Sequence, residues 1–193
     1  MVMGGIPYYF SMMDKSLSLA QNIDRLFFGP DSELKDEFSA LYRALFKKPE
    51  PYIAVVTALS QVGKGLTRQE IIRRSSLPDN GEFSNVLGEL EQCGFIRSYL
   101  PFGVQPLLSD GRLPSDTLFQ LTDFFTMFYF SFISKNHYHD SQFWTHSQNS
   151  PAHNAWAGLA FEKLCLSHLP QMKQRLGIAG VQMNACSLRS AFC

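Results

Sequence analysis

The chain has 193 residues, of which 45% are hydrophobic and 18% charged, a composition typical of a folded protein with one sizeable domain or two small ones. Lysine plus arginine and aspartate plus glutamate both number 17. The resulting zero net charge argues against a chain devoted to coating nucleic acid or to binding membranes through a polybasic surface. No apolar run is long enough to cross a bilayer and no signal peptide is evident, so the sequence predicts a cytoplasmic protein.

The first 48 residues carry three helical patterns. One runs from 7 to 14, with a proline near its start, and a second runs from 16 to 28 with its apolar residues on one stripe. Asp31 is predicted to cap a third helix that continues to Phe46, because its acidic first turn and basic end suit the helix dipole. These patterns predict a small helical bundle over 1–48.

Residues 49–123 show a different order of elements, with three helices followed by two strands. The second helix begins at Thr67 and has Glu70 three residues later, which together make a capping box. The third helix, ended by Gly94, has four apolar residues at helical spacing: Phe83, Val86, Leu87 and Leu90. Two strand-like runs, 95–102 and 117–123, are separated by a segment rich in Pro, Gly and Asp. This order predicts a winged helix-turn-helix.

An aromatic-rich helix followed by a loop rich in His, Asn and Ser is predicted to form a linker over 124–150. Helices over 154–169 and 171–177 and a strand-like segment over 177–190 follow. We therefore predict a mainly α fold with a small β-hairpin wing. Its parts are a helical bundle at 1–48, a winged helix-turn-helix at 49–123, the linker, and a last segment of helices and a strand-like run at 151–193.

No catalytic group and no metal site are predicted from short motifs. Gly63-Lys64 lacks both the earlier glycine and the following hydroxyl residue that a phosphate loop requires. Four histidines lie close together in the sequence, at spacings that match no metal-ligand pattern: His137, His139, His146 and His153. The four cysteines form no C-x-x-C pair and are expected to be reduced and mostly buried: Cys93, Cys165, Cys186 and Cys193.

The third predicted helix has an acidic solvent face, which bears on nucleic-acid binding. The polar residues of this face include three carboxylates and no lysine or arginine: Glu82, Asn85, Glu89, Glu91 and Gln92. Five arginines of the same region could still contact phosphates, three on the second helix and two in the wing: Arg68, Arg73, Arg74, Arg97 and Arg112. We expect a packing or partner-binding region, with weak DNA binding as the alternative.

Glu162 raises a separate question, because it lies in the apolar helix 154–169 with Leu159 and Leu166 as helical neighbours. A carboxylate on a packed apolar face is costly unless it is paired, protonated or bound to a ligand. An ion pair or hydrogen bond to a nearby group is one explanation. The apolar stripe around it is expected to pack against the aromatic-rich helix or against a second copy of the chain, which would make a homo-oligomer.

Several stretches together resemble the C-terminal half of a family of bacterial and archaeal AAA-type ATPases that carry a PD-(D/E)XK nuclease-like domain. Four residues match the GG-x-P-x-Y signature of the family's helical lid: Gly4, Gly5, Pro7 and Tyr9. The region 66–96 is similar to its winged helix. Gly158, Phe161 and Glu162 match the G-x-x-F-E motif in the first helix of its nuclease-like domain, so the resemblance implies that 151–193 is the truncated α/β start of that domain.

The resemblance implies a chain without catalysis of its own. In the family, the motifs that bind ATP and Mg²⁺ precede the lid signature, and the D…E-x-K residues would follow about position 190, so we expect a fragment that needs no cofactor. Tyr8 occupies a position where related ATPases often have arginine. The expected function is coupling or docking to a protein partner or to the parent's other domains. A small DNA-binding winged-helix protein is the alternative, and a nuclease in which Glu162 binds Mg²⁺ would require a second chain.

Overall fold

The computed structural model describes residues 2–100 and 114–181, which are mainly helical with a small three-stranded antiparallel sheet. This confirms the predicted mainly α fold with a small β element. Within the described residues, no helix combines the length and apolarity that a bilayer crossing requires. The chain divides into two compact units, which consist of 1–53 with 123–161 and of 54–122 with 162–193. The segment 124–150, predicted as a linker, therefore contributes to the first unit.

The first unit contains helices from two separate segments of the chain, 1–53 and 123–161. Their bounds are α1 Pro7–Ser11, α2 Leu19–Phe27, α3 Glu37–Leu45, α7 Phe124–Ser131, the 3-10 helix Ile133–Lys135, α8 Phe143–Ser147 and the first part of α9, Pro151–Ser167. The core between them is aromatic. Phe38 stacks on Tyr129 with ring centroids 3.9 Å apart, and Tyr42, fully buried, lies 3.3 Å by its hydroxyl from Thr126 Oγ1.

The third helix begins later than the sequence predicts. Asp31 does not cap it, and α3 starts only at Glu37. The intervening segment is instead tied to α2, because Leu34 is buried and its amide donates to the carbonyl of Leu26 at 3.0 Å. A backbone amide used in this way is not available to a helix, so the segment remains in turns.

The helix α8 lies where the sequence predicts only a loop. Its first amides are bound by a distant carboxylate: Asp24, buried on α2, accepts from the amides of Trp144 at 2.9 Å and Thr145 at 3.2 Å, and also from the Thr145 hydroxyl. These donors satisfy the buried charge and the helix start together. Sequence periodicity cannot show such a contact, because its partners lie about 120 residues apart.

Replacing Asp24 with asparagine is expected to destabilise the first unit by about 1–2 kcal/mol, because the amide group keeps one acceptor and places a donor against backbone N–H groups. Urea unfolding followed by tryptophan fluorescence measures this, since both tryptophans of the chain, Trp144 and Trp156, belong to the first unit. The exposed Asp31 gives the control Asp31→Asn, expected to change stability by less than about 0.5 kcal/mol. Equal effects of the two substitutions would contradict the prediction.

The second unit combines helices with the three-stranded sheet. Its elements are α4 Glu50–Ser60, which begins in the first unit, β1 Leu66–Thr67, α5 Arg68–Ser75, α6 Gly81–Gln92, β2 Ile96–Tyr99, β3 Leu118–Leu121, the end of α9, and α10 Leu169–Arg175. The predicted hairpin is present, with Ile96 opposite Leu121 and Tyr99 opposite Leu118. The capping box of Thr67 and Glu70 is also confirmed. The strand-like segment predicted over 177–190 forms no strand over 177–181, and its remainder lies outside the described residues.

The strand β1 was not predicted, because two residues carry no alternating pattern. It pairs with β3, so the strand order is β1-β3-β2. Gly65, directly before it, has a φ of +86°, and a Cβ atom built there would lie 2.6 Å from the carbonyl oxygen of Phe119. Glycine is therefore required for β1 to approach β3.

Candidate functional site

The most distinctive surface of the second unit is the exposed side of α6. Asn80 caps this helix by accepting from the amide of Phe83 at 3.0 Å. The four apolar residues predicted for its inner side are buried: Phe83, Val86, Leu87 and Leu90. Five exposed polar residues of α6 are here called the acidic face: Glu82, Asn85, Glu89, Glu91 and Gln92. Glu91 lies at the edge next to β2, where its Oε1 accepts from the amide and the hydroxyl of Ser98 at 2.6 Å. The acidic face presents three carboxylates and no lysine or arginine.

Arg68, one of the five arginines predicted to contact phosphates, is bound within the unit. Its Nε and Nη2 atoms donate to Oδ1 of Asp79 at 2.9 and 2.7 Å, and its Nη1 donates to Ser84 Oγ at 3.1 Å. The guanidinium also lies 4.7 Å from the ring centroid of Phe83. The hydrogen bonds from Arg68, followed by one from Gln69, lower the pKa of Asp79. Arg68 thus joins α5 to the turn before α6.

Arg97 is also engaged inside the unit. It faces Gln120 across the β2–β3 pair, and its Nε and Nη2 donate to Gln120 Oε1 at 3.0 and 2.8 Å. The same glutamine donates to the carbonyl of Gly63 at 2.5 Å. A phosphate would have to compete with these contacts for the guanidinium of Arg97.

Two of the predicted arginines are exposed. Arg73 and Arg74 lie in the last turn of α5, where Arg74 donates to Gln61 Oε1 at 3.1 Å. Arg112 lies outside the described residues. The four arginines that the structure describes are therefore divided between internal contacts and the end of one helix.

Glu162 does not lie on the packed side of α9, and that expectation is wrong. Gly158, Phe161 and Glu162 are all exposed, with Phe161 exposed by 61%. The buried positions of the helix are Trp156, Ala160 and Lys163, a spacing that places the packed stripe one residue away from the glutamate. Because Glu162 is in solvent, its charge needs no compensating partner.

Lys163 is the buried charge of this helix, and the sequence analysis missed it. Its side chain is 6% exposed, and Nζ donates to the carbonyl of Leu121 at 2.7 Å. Burial, followed by the nearby charge of Arg97, lowers the pKa of Lys163 to about 8, although Glu162 raises it. Its position seven residues after Trp156 and three after Ala160 was the available signal, hidden by the stronger pattern of leucines.

The residues that match the lid signature have packing roles within the first unit. Gly4 and Gly5 both have positive φ, and a Cβ at Gly4 would lie 3.4 Å from the Cβ of Phe125. Pro7 opens α1. Tyr9 is buried, lies 6.0 Å from the Phe125 ring between centroids, and donates to Glu37 Oε1 at 2.5 Å. These contacts join α1 to α3 and α7.

Two of the four histidines, His146 and His153, contact other groups of the first unit, whereas His137 and His139 are exposed. Nδ1 of His146 lies 2.7 Å from Asp140 Oδ2, and the hydrogen bond with His146 lowers the pKa of this carboxyl. His153 packs edge-on to Trp144 with centroids 4.9 Å apart. Of the cysteines expected to be mostly buried, Cys93 is exposed at the end of α6 and Cys165 is half-buried, whereas Cys186 and Cys193 lie outside the described residues.

Comparisons with known protein families, with curated proteins and with solved structures return no match to this chain.

Proposed function

We propose that the second unit is a winged-helix module that binds a protein partner through the acidic face, and that this chain has no catalytic activity of its own. The winged-helix assignment is supported by three helices, α4, α5 and α6, and by the strand order β1-β3-β2 with a β2–β3 hairpin. Such a module would couple or dock the parts of a larger assembly, as expected from the resemblance to AAA-type ATPases.

The observation that carries the proposal is the charge of α6. In winged helices that read DNA, the helix in this position enters the major groove, where phosphates surround it. The acidic face would meet these phosphates with three carboxylates. Arg68 and Arg97, which could offset this repulsion, are hydrogen-bonded within the unit. A basic protein surface complements the same face.

A direct test compares DNA and protein binding. A fluorescent random duplex at about 50 mM salt is expected to show no binding to the wild-type chain. The variant Glu82→Lys/Glu89→Lys is expected to acquire binding that weakens with salt, since phosphate contacts release counterions. Wild-type binding to the duplex that is lost in Arg73→Ala/Arg74→Ala would instead favour DNA as the ligand, because those two arginines are exposed.

Partner binding is tested with a photo-crosslinking residue at Asn85, in the acidic face, and a matched one at Arg73 on α5. Crosslinking in cells is expected to give a discrete protein adduct only from position 85. The adduct should disappear in the Glu82→Lys/Glu89→Lys background, and the purified partner should bind less tightly as salt is raised. Identical adducts from both positions, or none, would overturn the proposal.

A further inference from the structure

The first unit contains a cavity of about 510 Å³ that the proposed function does not use. It lies among α1, α2, α8 and the beginning of α9. Buried residues, among them Ile23, Trp144 and Trp156, form part of its wall, whereas Phe10 and Leu19 at its edge are exposed by 51% and 63%. A volume of this size matches the range of small-molecule sites.

The wall of this cavity is almost entirely uncharged. Among the described residues that line it, none is aspartate, glutamate, lysine or arginine. Polar side chains come from Gln148 and Asn149, between α8 and α9, and from His153 in the first turn of α9. A charged ligand would lose its hydration without gaining a counter-ion, so the wall selects a neutral molecule with an apolar body.

One lining residue carries an unused hydrogen-bond donor. The Nε1 atom of Trp156 is buried, and it has no hydrogen-bond partner among the described residues. Trp156 as a whole is 7% exposed. A buried donor left unsatisfied destabilises a protein. Because almost none of the surface of Nε1 is accessible, an acceptor on a ligand reaches it only after a neighbouring side chain moves, and would then recover that loss.

We propose that this cavity binds a neutral small molecule with an apolar or aromatic body and one hydrogen-bond acceptor, such as a carbonyl oxygen. The apolar body lies against Trp144, the ring of Phe10 and the side chain of Leu19. The acceptor accepts a hydrogen bond from the indole N–H of Trp156. Aromatic walls favour a flat ligand, because offset and edge-on ring contacts add to the apolar burial.

The test uses 6-propionyl-2-(dimethylamino)naphthalene, a neutral aryl ketone whose emission shifts to shorter wavelength in an apolar site. Both tryptophans of the chain line the cavity, so binding is also expected to quench their fluorescence. We expect saturable binding of one probe per chain. Ala157→Phe, which fills the cavity, should weaken binding at least tenfold, whereas Ala155→Phe, at an exposed position of the same helix, should change it less than twofold.

The acceptor is tested with Trp156→Phe, which removes the N–H and keeps an aromatic ring. The ketone probe is expected to bind about three- to tenfold more weakly, whereas 2-(dimethylamino)naphthalene, which lacks the carbonyl, should bind both proteins alike. Circular dichroism verifies folding. If the variant does not fold, the wild-type protein must bind the ketone several-fold more tightly than its carbonyl-free analogue.

Three results would overturn the proposal. Binding that does not saturate, or that survives Ala157→Phe unchanged, would show that the probe does not occupy the cavity. Equal ketone affinity in the wild type and in Trp156→Phe would show that the indole N–H is directed at a neighbouring ring rather than at a ligand. If Trp156→Phe does not fold, equal affinities of the wild-type protein for the ketone and for its carbonyl-free analogue would show that the ligand needs no hydrogen-bond acceptor.

Discussion

Replacing Phe128 with alanine is expected to lower the free energy of unfolding of the first unit by about 4 kcal/mol. Phe128 lies on α7 and is fully buried. Five aromatic rings surround it at centroid distances between 5.2 and 6.2 Å: Phe27, Phe28, Phe132, Trp144 and Trp156. The substitution removes the apolar burial and the edge-on ring contacts, and it leaves a cavity that rigid aromatic neighbours fill poorly.

Tryptophan fluorescence during urea unfolding measures this effect, because Trp144 and Trp156 contact Phe128 directly. Phe161→Ala is the matched control, since this phenylalanine is 61% exposed and belongs to the same unit. It is expected to change the free energy of unfolding by less than about 0.5 kcal/mol. Similar losses for Phe128→Ala and Phe161→Ala would show that the aromatic cluster does not hold the first unit together.

Replacing Lys163 with methionine is expected to remove a pH dependence from the stability of the second unit. Burial lowers the pKa of Lys163 to about 8 in the folded protein, from an ordinary value of 10.5 in the unfolded chain. Between these two values the unfolded chain binds a proton that the folded protein has released. The free energy of unfolding therefore rises with pH across this window, by about 3 kcal/mol at most.

Below pH 8 both states are protonated, so the full cost of the buried charge is present at neutral pH. Lys163→Met removes that cost but leaves the Leu121 carbonyl without its lysine donor. We expect a net stabilisation of about 1–2 kcal/mol at pH 7, which shrinks to zero or reverses by about pH 9.5.

Urea unfolding is measured from pH 7 to about 9.5 by circular dichroism, which follows both units, and by tryptophan fluorescence, which follows the first unit. The transition seen only by circular dichroism is that of the second unit. The upper limit is set by the first unit, where burial raises the pKa of Tyr9 and Tyr42 above the ordinary 10.0. Their unfolded forms lose protons near pH 10, so stability falls there for a separate reason. Lys64→Met, at an exposed position of the second unit, should leave the pH profile unchanged. A wild-type profile that is flat from pH 8 to 9.5 would contradict the prediction.

The candidate interaction surface was predictable in large part. The spacing of the apolar residues on α6 determined which side of that helix is exposed, and the three carboxylates followed from it. The roles of the arginines were not predictable. Whether Arg68 reaches Asp79 or solvent depends on how the turn before α6 folds back on α5, a distance of 11 residues along the chain.

The cavity and the buried lysine could not be predicted from local pattern. The cavity wall combines residues near the start of the chain with Trp144 and Trp156, more than 100 positions later. On α9, leucine is the stronger apolar signal, so Leu159 and Leu166 favoured the stripe that contains Glu162 over the stripe of Trp156, Ala160 and Lys163. Which of the two stripes is buried depends on the residues that pack against the helix, and these are distant in the sequence.

The sequence by itself determined the helical content, the capping box at Thr67, the β2–β3 hairpin and the buried side of α6. Each follows from spacing or capping within about one helical turn or one hairpin. Only the tertiary structure decided the delayed start of α3, the helix α8 under Asp24, the third strand beside Gly65 and the burial of Lys163. These depend on hydrogen bonds between groups distant in the chain, which local propensity does not encode.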